Sequence, residues 1–168
     1  MSEVIINPYI FVSESGCSQL TWDENQPVYP GYGGGSRRGL QFSTGFECLG
    51  ETVSNVTFLL KKTGSPTGTA YAKVWNSSNV EQISLGSIDI STIDSSTQTE
   101  YTFDSPSGAH TLANNDFVAF QSENGDASNY IGFAVQNSLT VTGEAQADYP
   151  SNSWRTTSTR NAYFKLNS

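Results

Sequence analysis

Charge is scarce in this chain. Lys, Arg, Asp and Glu make up 14% of its 168 residues, where about 25% is usual, so Ser, Thr, Asn and Gly must supply much of the polar surface. The Glu, Lys, Arg and Ala that support solvent-facing helices are few, and short hydroxyl and amide side chains favour strands and turns. A helix-rich fold is therefore excluded. The charges present are mostly of one sign, eight basic against sixteen acidic. A nucleic-acid footprint needs clustered Lys and Arg, and the local pairs Arg37-Arg38 and Lys61-Lys62 make no stripe. Nucleic acid is not an expected partner.

Long apolar runs are missing as well. Nothing approaches the ~20 consecutive apolar residues that span a bilayer, so no membrane insertion is expected, and Met1-Ser2-Glu3-Val4 lacks the basic and apolar regions of a secretory signal. Histidine occurs once, at His110, and cysteine twice, at Cys17 and Cys48, which is too few soft ligands for a structural zinc site. His110 has no nucleophile motif beside it and reads as an exposed histidine of the turn-like stretch Ser107-Gly108-Ala109-His110-Thr111. The acidic residues show no spacing that selects a catalytic pair. Gly33-Gly34-Gly35-Ser36-Arg37 lacks the ending and the following helix of a phosphate loop. The chain reads as no enzyme. Cys17 and Cys48 are either two buried free thiols or a disulfide closing a loop of about 31 residues around the Gly-rich segment.

What remains is a strong β signature. The length suits one domain spanning residues 1–168, which buries roughly 70% of its unfolded surface without help from metal or disulfide. From residue 53 onward, short alternating runs are separated by Gly, Pro, Asn, Asp and Ser clusters, the pattern of a sandwich or barrel. Val56, Phe58 and Leu60 fall at period two before the turn Gly64-Ser65-Pro66-Thr67-Gly68. Ala70, Ala72 and Val74 share one face of the next run, with Tyr71, Lys73 and Trp75 on the other. Further strands are expected near Tyr9–Val12, Leu40–Ser43, Ser87–Ile90, Glu100–Phe103, Phe117–Ser122, Tyr130–Val135, Leu139–Thr142 and Ala162–Leu166. So many half-buried strands require two stacked sheets. The fold class is all-β, a two-sheet antiparallel β-sandwich of jelly-roll type. Residues 1–50 include an irregular N-terminal arm and long loop, because Gln26 to Gly35 has no usable period and too many Gly and Pro for a regular element.

Three segments appear in a recognisable order: Gly64 to Trp75, Gly86 to Ile93, and Asn124 to Ile131. Together with the closing run Ala162-Tyr163-Phe164-Lys165-Leu166, they resemble the Ser/Thr/Gly-rich jelly-roll modules of virion surface proteins and of carbohydrate-binding-like extracellular domains. The resemblance covers residues 53 to 166 and not residues 1 to 50. It implies the fold and carries over no binding residue.

The candidate site residues come from the residue types themselves. Trp75, outward of the Ala70/Ala72/Val74 face, and Trp154, in a polar stretch, are the best platforms for stacking against a sugar ring, and Asn129 and Tyr130 are further ligand-binding candidates. Core packing is the commoner role of a sandwich aromatic. The loop Glu123 to Asn129 offers Glu123 and Asp126 as the hard oxygen ligands calcium prefers. A hairpin turn in which Asn124-Gly125 supplies positive φ explains the same residues more simply, and no cofactor is expected. Tyr29, Tyr32, Arg37 and Arg38 mark the arm as an assembly element that orders on a neighbour. Two sequons, Asn55-Val56-Thr57 and Asn76-Ser77-Ser78, matter on a glycosylating pathway.

The expected role is a non-enzymatic virion structural or surface protein: a capsid decoration, minor capsid or tail-associated protein located at the virion surface or outside cells. Its expected partners are copies of itself, other virion proteins, or surface glycans. The alternative is a carbohydrate-binding or adhesin module that recognises a polysaccharide.

Overall fold

The computed structural model describes residues 17–19, 22, 24–28, 37–45, 48–137, 144–149, 154–157 and 160–167. The strands expected at Tyr9–Val12 and Leu139–Thr142, and the arm residues Tyr29 and Tyr32, lie outside the described residues. In chain order the strands are β1 (Ser18–Gln19), β2 (Glu24–Val28), β3 (Arg37–Phe42), β4 (Thr52–Val53), β5 (Asn55–Thr63), β6 (Thr69–Trp75), β7 (Glu81–Asp89), β8 (Thr99–Asp104), β9 (His110–Thr111), β10 (Asp116–Ser122), β11 (Tyr130–Asn137), β12 (Glu144–Tyr149), β13 (Arg155–Thr157), β14 (Arg160–Ala162) and β15 (Phe164–Asn167), with a 3-10 turn at Ile90–Thr92.

The pairings build two antiparallel sheets. In the first, β2, β11, β5 and β8 lie side by side in that order. In the second, β3, β10, β6 and β7 do the same. Apart from the β6–β7 hairpin, these eight strands alternate between the sheets along the chain, which is jelly-roll connectivity. β12 and β13 widen the second sheet beyond β3. The C-terminal strands enter the first sheet where β5 and β11 part, β14 on β11 and β15 on β5, with β1 on the far side of β15. β4 and β9 form a separate two-stranded ladder.

Alternation explains the core. Val56, Phe58 and Leu60 of β5 point inward, as do Ile131, Phe133 and Val135 of β11, and all are fully buried. The second sheet answers with Leu40 and Phe42 of β3, Ala70, Ala72 and Val74 of β6, and Val118 and Phe120 of β10. The Phe120 ring lies 6.5, 6.0 and 6.4 Å from those of Phe58, Phe103 and Phe133, three aromatics of the opposing sheet. Each such side chain contributes about 1.5–3 kcal/mol on burial.

Two expectations need correcting. Gln26 to Val28 are not irregular: they belong to β2, where Val28 pairs with Ile131 and Gln26 with Phe133. Pro27 is tolerated because β2 lies beside one neighbour among the described residues, so its missing N–H need not break a ladder. Strand β7 begins at Glu81 instead of Ser87. Opposite Ala72 and Lys73 of β6, Gly86 and Ser84 are the partners and Leu85 is passed over, so the register shifts there. A bulge of this kind moves later side chains to the other face. Ile83 and Leu85 are consequently out of phase with Ile88, which hid the first half of the strand. Gly86 adopts φ 118° and sits so near the Asp104 backbone that a Cβ would come within 2.8 Å of its carbonyl oxygen.

Candidate functional site

The outward face of the second sheet carries the largest aromatic grouping near the proposed platform residues. Trp75 ends β6 and is paired across the ladder with Phe117 of β10. Trp154, just before β13, lies over both. Its ring stacks on Phe117 at 4.2 Å with 4° between planes and meets Trp75 at 5.7 Å. From β3, the Arg37 guanidinium lies 4.6 Å from the Trp75 ring centroid and donates to Asn79 Oδ1 at 2.6 Å. This corrects the expectation for Trp75. It does point outward, but it is only 2% exposed, as is Phe117. Trp154 is half-buried. The two tryptophans thus pack on one another and on Phe117, so Trp75 is no open stacking platform. Phe117 and Asn79 were not identifiable from the sequence, since only the β6–β10 register brings Phe117 opposite Trp75.

The basic pair expected to reach out from the arm is built into β3. Arg37 is the cation of the aromatic group. Arg38 faces the other way, is 3% exposed, and donates from Nη1 to Gln26 Oε1 at 2.7 Å. Because Gln26 belongs to the first sheet and Arg38 to the second, this bond crosses the sandwich. Alternation along β3 decides the split, since neighbouring residues of a strand must face opposite ways. Just ahead of β1, Cys17 is joined to Cys48 in a disulfide. Both cysteines are buried in the main core, and Leu166 donates its backbone N–H to Cys17 O at 2.7 Å. The bond therefore ties the start of the described chain to the C-terminal strand.

At one end of the sandwich the β5–β6 and β10–β11 loops interlock. Asn129 Oδ1 accepts from Ser65 N at 2.9 Å, and Asn129 Nδ2 donates to both carboxylate oxygens of Asp126. Asp126 Oδ1 also accepts from the backbone N–H groups of Ser128 and Asn129. These bonds, that of Ser128 first, hold the Asp126 carboxyl below the usual carboxylate range. Gly125 has a positive φ of 128°, but the turn is no hairpin, because β10 belongs to the second sheet and β11 to the first. Gly64, at φ 70°, approaches so closely that a Cβ would lie 2.3 Å from Ser128 O. Glu123 is exposed at the start of the loop and Tyr130 is half-buried at the start of β11. Among the described residues no three His, Cys, Asp or Glu side chains gather where they can hold a metal ion.

His110 is not an exposed turn residue. It belongs to β9, is half-buried, and its Nε2 lies 2.8 Å from Oδ2 of the buried Asp116, which also accepts from Ala113 N at 2.9 Å. The pair staples β9 to the start of β10. On the outward face of the first sheet, Glu100 accepts from Tyr163 Oη and pairs with Lys165 Nζ at 2.6 Å. The Lys165 bond, then that of Tyr163, lowers the Glu100 carboxyl, while burial first and Glu100 second raise the Tyr163 phenol. Tyr163 packs there with Leu59 and Ala134 as a small satellite core. What the site offers chemically is an aromatic cluster with the Arg37 cation, in which Trp154 is the one partly open ring, and, elsewhere, loops rich in amide and hydroxyl groups.

Comparison of the chain with protein-family models, with curated proteins and with solved structures finds no match in any of the three.

Proposed function

We propose that the chain is a non-enzymatic structural or surface protein of a virion, assembling through contacts with copies of itself or with other particle proteins. The observation that carries this reading is the Cys17–Cys48 disulfide within a jelly-roll sandwich. Disulfides persist in oxidising surroundings, virion and cell surfaces among them, and double-sheet jelly rolls serve as capsid and lectin domains. The low charge supports the same reading, because neutral hydroxyl and amide side chains let surfaces approach without desolvating ions. The fold alone hosts many roles, so the weight rests on the disulfide and the surface chemistry together.

Light scattering of the purified protein over a range of concentrations tests the reading, with the full chain compared with one lacking residues 1–16. The truncation stops short of Cys17, because β1 and β2 belong to the sheet. A defined oligomer is the expected result, and its loss on truncation assigns the contact to residues 1–16. A monomer at every concentration that binds glycans on an array overturns the proposal in favour of a carbohydrate-binding module.

A further inference from the structure

The β6–β7 hairpin ends in a tip that the fold does not explain by packing. Asn76 to Asn79 form a tight turn in which Asn79 N donates to Asn76 O at 2.9 Å and Asn76 N to Val80 O at 2.9 Å. Asn79 closes it at φ 63°, and its side chain is bound to Arg37. The Asn76 carboxamide is oriented: Oδ1 accepts from the backbone N–H groups of Ser78 and Val80, each at 3.0 Å. With the oxygen directed at the turn, Nδ2 is the end left for chemistry. Ser77 and Ser78 are exposed, and Val80 is 55% exposed, one of two large hydrophobic side chains so open among the described residues. An Asn-x-Ser sequon thus stands on a projecting turn, with an apolar side chain bare beside its acceptor.

The second sequon is placed very differently. Asn55 is the first residue of β5, paired with Asn167 on one side and Asp104 on the other. Its Oδ1 accepts from Asn167 Nδ2 at 2.9 Å. Val56 is in the core, and the Thr57 hydroxyl lies 2.7 Å from that of Thr102 on β8. Both carboxamides use Oδ1 and leave Nδ2, but Val56 and Thr57 of the Asn55 sequon are buried between paired strands, whereas Ser77 and Ser78 of the Asn76 sequon are exposed.

We infer that, wherever the chain meets a glycosylating transferase, Asn76 is an N-linked glycan acceptor and Asn55 is not, an inference resting on the reading of the chain as a disulfide-bonded surface protein. The donor class is an oligosaccharide linked to a polyprenyl pyrophosphate. Asn76 Nδ2 forms a bond to C1 of the first sugar, the C1–O bond to the pyrophosphate breaks with its electron pair leaving on the lipid, and one amide proton passes to a base of the transferase. The first sugar ring then lies against Val80 and covers it.

The test is secretion of the full chain from a eukaryotic cell line behind an added cleavable secretory signal, followed by peptide-N-glycosidase digestion and peptide mass spectrometry, with the Cys17–Cys48 peptide read in the same sample. The expected result is a glycan at Asn76, an unmodified Asn55, and loss of the glycan in both N76Q and S78A. S78A keeps the Asn76 turn, because the bond there uses the Ser78 backbone N–H. A glycan at Asn55 in the secreted protein, or one that survives S78A, overturns the inference. So does an unmodified Asn76 in a sample whose Cys17–Cys48 bridge is formed, since the bridge shows passage through an oxidising compartment. Free cysteines in that sample count instead against the surface reading on which the inference rests.

Discussion

Arg38 of the second sheet donates to Gln26 of the first at 2.7 Å, and both side chains are buried. A buried polar group that loses its partner costs about 1–3 kcal/mol, more where the group is charged. Gln26→Leu is therefore expected to lower the urea midpoint by an amount equivalent to about 2 kcal/mol, with Arg38→Ala costing more. An unchanged midpoint in Gln26→Leu means that the bond does not hold the sheets together.

Trp154 is half-buried and stacks on Phe117 at 4.2 Å. Trp154→Ala removes the stack and bares Phe117 and Trp75, and about 1–3 kcal/mol of stability is expected to go with it. Trp154→Phe, which keeps a stacking ring, retains most of that. Trp75→Ala is costlier, about 3–5 kcal/mol, because it empties a buried position. Thermal melts of the three variants rank them, and a Trp154→Ala protein as stable as the parent refutes the covering role of this ring.

The disulfide closes a loop with a sequence separation of 31. Chain entropy alone assigns such a cross-link about 3–4 kcal/mol through the unfolded state. Denaturation with and without a phosphine reductant measures it, and the Cys17→Ser/Cys48→Ser double variant is expected to match the reduced parent. A reduced protein with the parent's midpoint rules the contribution out.

Asp94 follows the 3-10 turn and accepts from the Ser96 hydroxyl and from the backbone of Ser96 and Thr97. These bonds, the Ser96 hydroxyl first, hold its carboxyl down to about 2. Because the folded value lies below the unfolded one, near 3.8, the stability is present in full above about pH 4 and is lost as pH falls toward 2. Asp89 and Asp126 are lowered by turn N–H groups in the same sense. Asp94→Asn is expected to flatten the acid limb of a stability profile without changing its sign, and carbon-detected NMR titration reads the carboxyl directly. A titration midpoint near 4 contradicts the bonded turn.

Much of the architecture was legible because strand periodicity is a local property. Ala70, Ala72 and Val74 do line the core and Tyr71, Lys73 and Trp75 do face away, and Gly64, Gly68 and Gly125 do take the positive φ that their turns demand. Periodicity failed at β7, where the bulge at Leu85 and Gly86 changes the phase, and in β2, where Pro27 disguises a strand whose support is tertiary. For the candidate site less was legible. Asn129 and Asp126 stand together as loop neighbours, while the partners of Trp75 are 42 and 79 positions away in sequence.

The sequence by itself determined the all-β class, the two faces of the central strands and the turn positions, because each depends on residues within one or two steps of one another. Only the tertiary structure decided that the outward tryptophan is covered, that Arg38 turns inward to Gln26 while Arg37 turns outward to Trp75, and that Cys17 meets Cys48. Alternation states that a strand has two faces and does not state what lies against either. That depends on register and on loop closure across the whole chain, where burial and hydrogen bonding between distant residues outweigh any local preference.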